Sequence, residues 1–183
     1  MSEIVICAHQ SSWAKEFEQI QKQLKYVLGT HALQIDHIGS TAVADLAAKD
    51  IIDIQVSVKD LDNLEVIERL VDADYIYRDD VKWDNLVGYE AEDEHLRKHY
   101  FREPTGSRVT HIHIREVGRV NQIYPLLFRD LLRENKHIRM AYGKIKTELA
   151  HRFKDDVEAY YAIKDPYMDT LFHAATLLQK AQR

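Results

Sequence analysis

Cysteine, proline and glycine are all scarce in this chain, with one Cys, three Pro and six Gly in 183 residues. The lone Cys7 cannot form an internal disulfide, so no cross-linked scaffold holds the fold, and a reducing compartment suits it. So few Gly and Pro leave no linker at which to divide the chain, and no internal repeat or low-complexity tract is present. The expectation is a single domain over residues 1–183. No apolar run approaches the length that spans a bilayer, and the opening "MSEIVICAHQSSW" lacks the basic start and apolar core of a signal peptide. The chain therefore reads as cytoplasmic, with no membrane partner. Basic excess is missing as well. A formal net charge of −5 argues against a surface that coats nucleic acid, although a local basic pocket stays open.

What is present is ordinary globular material, 45% hydrophobic and 30% charged, long enough to bury a substantial core. Trp13, Phe17, Ile20, Leu24 and Val27 or Leu28 recur at helical spacing, with Ser11 or Ser12 as the cap and Gly29 as a left-handed stop. "LQIDHIG" predicts a strand running into the Gly39-Ser40 turn. Thr41 to Ala48 predicts a loop or short helical turn, "IIDIQVSV" a second strand and "LDNLEVIERLVDA" a second helix. "RKHYFRE" and "RVTHIHIRE" flank "PTGS" as a hairpin. Three helical patterns come next: "VNQIYPLLFRDLLREN", with Pro125 near its start or kinking it, "HIRMAYGKIKTELAHRF", and "DPYMDTLFHAATLLQKAQ", capped by Asp165 with Pro166 in its first turn. Strands succeeded by a helical tail predict an α+β fold with a mainly antiparallel or mixed sheet.

One stretch stands out from this pattern. In "HIGSTAVADLAAKDIIDIQVSV", residues 37–58, alternation puts Ile52, Ile54, Val56 and Val58 on one strand face and Asp53, Gln55 and Ser57 on the other. A carboxylate near the centre of a sheet costs several kcal/mol unless it is paired, solvated or on a metal. Asp53 could pair with a buried Arg or Lys, lie on a wet edge strand, or hold a cation. The Gly39-Ser40 turn is equally open. It could be a tight turn whose Ser40 or Thr41 caps the next segment, or a place where bare backbone N–H groups and a hydroxyl receive a phosphate. Turn and acid together describe a phosphate site beside a Mg²⁺ site. In "THIHI", His111 and His113 share a face with Val109 and Arg115. Zinc is a weaker reading there, because no Cys pair or HExxH helix accompanies them.

The same motif resembles that of the GrpB family, usually H-I-G-S-T-S/A-V-P-G-L-x-A-K-P-I-I-D-I. The likeness continues through "THIHI", "FRDLLREN", "AYGKIK" and "YAIKDPYM", so it spans nearly the whole chain in order. The resemblance implies a nucleotidyltransferase-like fold: a small mixed sheet with flanking helices, a C-terminal helical segment, and a Gly-Ser turn opposite a strand of metal-binding acids. A similar domain is fused to dephospho-coenzyme A kinase in some relatives. It further implies that Gly39, Ser40 and Thr41 hold phosphates, that Lys49 neutralises them, that Asp53 holds Mg²⁺ and that His113 serves as base. Arg129, Lys146 and Lys164 occupy motif positions and would add phosphate contacts, or else form a solvated helix face.

This chain departs from the family pattern in two places. Ala44-Asp45 stands where relatives carry Pro-Gly, and Asp50 replaces a Pro, which makes the loop more acidic and less rigid. Two-metal sites need shared carboxylates, whereas here the second position is Gln55, a neutral ligand at best, and the third is His111 or His113. Two ligand-handling functions fit these residues, beside a third reading in which the helical tail is an interaction domain and the pocket is vestigial. One is a nucleotidyltransferase moving a nucleotidyl group from an NTP to an unknown acceptor with Mg²⁺. The other is a module that binds a nucleotide or phosphorylated metabolite without chemistry.

Overall fold

The computed structural model describes residues 3–181; residues 1, 2, 182 and 183, at the ends of the expected domain and of its last helix, lie outside them. Five strands, β1 (Gln34–Ile38), β2 (Ile52–Val58), β3 (Ile76–Tyr77), β4 (His99–Arg102) and β5 (Thr110–Glu116), form one sheet in the order β1-β2-β5-β4-β3. Only the β2–β5 pair is parallel, so the sheet is mixed. Helices α1 (Ser12–Leu28) and α2 (Glu65–Asp72) accompany the first strands, and α3 (Val120–Glu134), α4 (Lys136–Arg152) and α5 (Val157–Ala181) form the tail. The architecture is the α+β fold expected, with flanking helices and a C-terminal helical segment.

Strand alternation decides which helices cover which face. Ile52, Ile54, Val56 and Val58 of β2 join Ile112 and Ile114 of β5 in a core closed by Trp13, Leu24 and Leu28 of α1 and Val66 and Leu70 of α2. The opposite face carries Asp53, Gln55 and Ser57 on β2 and His111, His113 and Arg115 on β5, directly paired in parallel register. Helix α3 lies over that polar face, where Gln122 reaches Ser57 at 3.2 Å. A second apolar cluster of Val43, Leu46, Phe128, Leu132 and Tyr142 ties α3 and α4 to the loop after β1.

Two expected helix starts differ from the structure. Ser11 sits at the N-cap of α1 with helical dihedrals and makes no side-chain capping bond. The last helix does not begin at Asp165 and Pro166: α5 starts at Val157 and runs through both. Upstream residues hold it, because buried Tyr160 packs with Leu149 and Ala150 of α4. Pro166 removes one N–H and frees the carbonyl of Ala162, but both residues are exposed, so water can satisfy that carbonyl. Pro125 is the sixth residue of α3 and also lies inside its helix.

Candidate functional site

A cleft of 540 Å³ opens on the polar face of the sheet, between the β1–β2 loop and the tail helices. Register brings its centre together. Ile38, the last residue of β1, pairs with Asp53, so the turn after it must pass beside that carboxylate. Gly39 makes the turn at φ +71° and ψ −170°, a region essentially restricted to glycine. A Cβ added there would lie 3.0 Å from both Cβ and Cγ of Asp53 and closer still to Oδ2. Gly39 is therefore needed twice, for its dihedrals and for its missing side chain.

The turn is braced from the other side of the sheet by His37, a residue whose role spacing alone did not disclose. His37 is buried and stacked on Phe17, with ring centroids 4.7 Å apart. Its Nε2 lies 3.0 Å from Thr41 Oγ1, and that hydroxyl donates to Ile51 O at 3.0 Å. Because Thr41 donates to a carbonyl, His37 must be the donor to Thr41. Burial lowers the His37 pKa to about 4 against the pull of Asp53, so the ring is neutral at physiological pH. The Thr41 hydroxyl, expected to meet phosphate, is thus occupied in joining β1, the turn and β2.

Asp53 is not locked against a buried arginine. Its side chain is 29% exposed, and Oδ1 lies 3.2 Å from His111 Nδ1, in line with their pairing across β2 and β5. Asp53, His111 and His113 offer ligand atoms within 4.8 Å of one another. The two histidines differ in what they can give. His113 Nδ1 lies 3.3 Å from Arg115 Nη2 and 3.5 Å from Lys98 Nζ. Arginine and lysine only donate, so Nδ1 accepts and the ring proton resides on Nε2. Burial, followed by Arg115 and Lys98, pushes its pKa well below the ordinary value. These contacts remove the basis for His113 as base. Asp53 and His111 fit a divalent cation, although one carboxylate leaves most of its charge unbalanced.

Gln55 is corrected too. It is fully buried, its Oε1 accepts from Arg115 Nη1 at 2.8 Å, and its Nε2 donates to Gln122 O at 2.9 Å. Its amide nitrogen holds α3 on the sheet and its oxygen holds Arg115 of β5, so both ends are committed and neither is left for a metal ion. Arg129 lies outside the cleft lining. Its guanidinium is shared among Asp130, Asp36 and the carbonyl of His37. Asp50 accepts from Trp13 Nε1 at 2.7 Å and pairs with Arg108, so the acidic substitution in the loop anchors it to α1 and the hairpin. Asp45, at the usual glycine position, takes φ +62°.

The three expected lysines all line the cleft. Lys49 donates to Tyr161 Oη at 3.0 Å and lies over the Tyr160 and Tyr161 rings. Lys164 sits 2.5 Å from Asp165 and over the Tyr161 ring, 5.0 Å from its centroid. Lys146 is buried, with Nζ 2.7 Å from Ser40 Oγ. A further group was not foreseen. Asp84 receives Lys98 Nζ at 2.5 Å, Arg115 at 2.9 and 3.1 Å, and Asn121 Nδ2 at 3.1 Å. Burial opposes its ionisation, but Arg115 and Lys98 outweigh burial and hold the carboxyl far below the usual range. Nothing in "KWDN" marks that aspartate; its partners come from the residue before β4, from β5 and from α3.

The chain is similar to several known proteins. The family described as "GrpB protein" matches residues 3–174. The dephospho-CoA kinase of Mycobacterium tuberculosis (strain ATCC 25618 / H37Rv) is 38% identical over 172 residues, covering 85% of this chain and 42% of that protein. The chain thus spans less than half the length of that relative. UPF0157 protein BH1888 of Halalkalibacterium halodurans is 30% identical over 174 residues, covering 94% of this chain and 82% of that one. Conserved protein GrpB from Enterococcus faecalis superposes with a TM-score of 0.78 at 30% identity, over 98% of this chain and all of that one. The Cid1 poly(U) polymerase with MgGTP bound gives a TM-score of 0.54 at 12% identity, over 80% of this chain and 45% of that one. That likeness shows a nucleotidyltransferase-like fold. Among the described residues no helix is long and apolar enough to cross a membrane.

Proposed function

The chain belongs to the GrpB family, and from that premise we propose that its cleft binds a nucleotide by its phosphates and transfers the nucleotidyl group to an acceptor. The observation that carries this reading is the convergence at Gly39: the Asp53 carboxylate lies against the bare backbone of the turn, and Lys146 reaches Ser40 from α4. Phosphates at the turn would meet the Ser40 hydroxyl, with Lys146, Lys49 and Lys164 around the same cleft to offset their charge. Asp53, with His111 beside it, would hold a divalent cation, Mg²⁺ by the chemistry of such folds, which supplies positive charge at the reacting phosphate. Gly39 sets how closely the backbone approaches, and the bond between His37 and Thr41 holds the turn in place.

A second reading is favoured by a specific observation. With Gln55 committed to Arg115 and Gln122, and Asp84 to Lys98 and Arg115, Asp53 is the one carboxylate on the β2–β5 wall, among the described residues, free to neutralise charge. Phosphoryl chemistry depends on that neutralisation. The alternative is a module that binds a nucleotide or phosphorylated metabolite without transfer. Melting temperatures measured against the four NTPs, coenzyme A precursors and sugar phosphates, each with and without Mg²⁺, test binding. The precursors are included because of the dephospho-CoA kinase relatives. Pyrophosphate release with the NTPs and Mg²⁺, in the presence of a metabolite extract that supplies the acceptor for the nucleotidyl group, separates the readings. Transfer predicts a Mg²⁺-dependent shift with release, and pure binding predicts a shift without release. No shift with any ligand would contradict both.

A further inference from the structure

Lys146 is a buried cation without a counter-charge. It is 3% exposed, and its Nζ contacts Ser40 Oγ at 2.7 Å, Ala47 O at 2.6 Å and the face of the Tyr142 ring at 4.9 Å, all neutral groups. Lys98 is paired with Asp84 and Lys164 with Asp165, each at 2.5 Å. Half-buried Lys49 meets only the tyrosines Tyr160 and Tyr161, which leaves Lys146 as the fully buried lysine of the cleft, among the described residues, that lacks a carboxylate. Lys146 makes no ion pair within 4.0 Å among the described residues. The charged groups that act on it are Lys164 on α5, which repels it, and Asp53 on β2, which attracts it from beyond contact.

An ammonium taken out of water without a partner costs several kcal/mol, and a lysine relieves that cost by losing its proton. Burial, reinforced by Lys164, brings the pKa of Lys146 down to about 7. The geometry accounts for this. Two acceptors are satisfied by two N–H bonds of a neutral amine, and no carboxylate rewards a third.

We propose that Lys146 reads the charge of the ligand: an oxyanion seated at Ser40 is the counter-ion this lysine lacks, and the lysine takes up a proton as that oxyanion binds. This deepens the phosphate reading of the turn and rests on it. It also defines the ligand class. The group beside Ser40 carries negative charge, and a neutral isostere leaves Lys146 an amine and gains nothing from it. The sign comes from linkage. Bound oxyanion raises the lysine pKa, so affinity is full below about pH 7, where the free lysine is already charged. It then falls by up to about tenfold per pH unit above that, until the pKa of the complex is reached.

The test is calorimetric titration of ATP, at fixed Mg²⁺, into the full chain and into Lys146→Arg and Lys146→Met between pH 6.5 and 8.5, in buffers of unlike ionisation enthalpy. Arginine keeps its charge throughout, so Lys146→Arg shares the ligand's own titration and isolates that of the lysine. At pH 8 the wild type should take up close to one proton more than Lys146→Arg, and Lys146→Met should bind more weakly at every pH without that uptake. Following the Lys146 side chain by NMR in the wild type keeps the test open if a variant fails to fold. Its midpoint should lie near 7 without ATP and rise with it. Binding with the same proton count in wild type and Lys146→Arg, or an NMR midpoint unmoved by ATP, would overturn the inference while leaving the phosphate site standing. No ATP binding at all would overturn the phosphate reading and this inference with it.

Discussion

Replacing Gly39 by alanine places a methyl group where the structure has none to spare. Two costs add. The backbone at φ +71°, ψ −170° is one that a side chain occupies at about 1–3 kcal/mol. The new Cβ would also stand 3.0 Å from Cβ and Cγ of Asp53, and forcing a methyl into a packed site costs about 1–3 kcal/mol. Asp53 can relieve part of the second cost by rotating away, so the expected loss is about 3 kcal/mol, a fall in melting temperature of roughly 6–12 °C for a chain of this size. The two costs separate in a double-mutant cycle. Asp53→Ala removes Cγ and the carboxylate oxygens, the closest of the contacts, but leaves the backbone strain and the contact with Cβ, so Gly39→Ala should be about 1 kcal/mol less harmful in that background. Urea denaturation of the four proteins measures this. Effects that add to within about 0.3 kcal/mol would refute the claim that Gly39 and the Asp53 carboxylate share one space.

Three other outcomes are expected from the same geometry. His37, neutral down to about pH 4, stabilises the fold fully above its unfolded pKa near 6.5 and loses that contribution, up to about 3 kcal/mol, as pH falls from there to about 4; His37→Gln, studied by denaturation across that range, should flatten the slope. Asp84→Asn leaves Lys98 and Arg115 buried without their shared counter-charge, and should cost about 3–5 kcal/mol in urea denaturation. A loss below about 1 kcal/mol would mean that the charge at position 84 contributes little. Gln55→Asp, which restores two acids to one strand face, should lower stability by about 1–3 kcal/mol, because the shorter carboxylate cannot reach Arg115 and would face the carbonyl of Gln122. It should not tighten Mg²⁺ binding, and a tenfold gain in a calorimetric titration would return position 55 to the site.

The fold was legible because periodicity is a local property. The alternation of "IIDIQVSV" assigned Ile54 to the core and Asp53 to the cleft face, and "PTGS" placed the β4–β5 hairpin. Proline misled at Pro166, because the rule that it starts a helix ignores a carbonyl that water can satisfy. At the site, the meeting of Gly39, Ser40 and Asp53 could be read from the chain. The rest depends on partners distant in sequence. Gln55 is a ligand candidate until Arg115 and Gln122 are found on its two ends. His113 is a base candidate until Lys98, 15 residues away, is seen on its Nδ1. Asp84 and His37 act through neighbours that spacing does not connect to them. Lys146 showed only its place in a motif; that it is buried with no counter-charge emerged when α4 was laid against the loop.

The phosphate turn and its cation are tested most directly by one titration, ATP binding measured with Mg²⁺ and with EDTA in the wild type and in Asp53→Asn. If the turn at Gly39 receives phosphates beside a cation on Asp53, the wild type should bind ATP more tightly with Mg²⁺ than without. Asp53→Asn, which keeps the side chain's shape, should erase that difference while leaving the metal-free affinity close to wild type. An affinity in the wild type that is indifferent to Mg²⁺, or a Mg²⁺ effect that survives in Asp53→Asn, would contradict it.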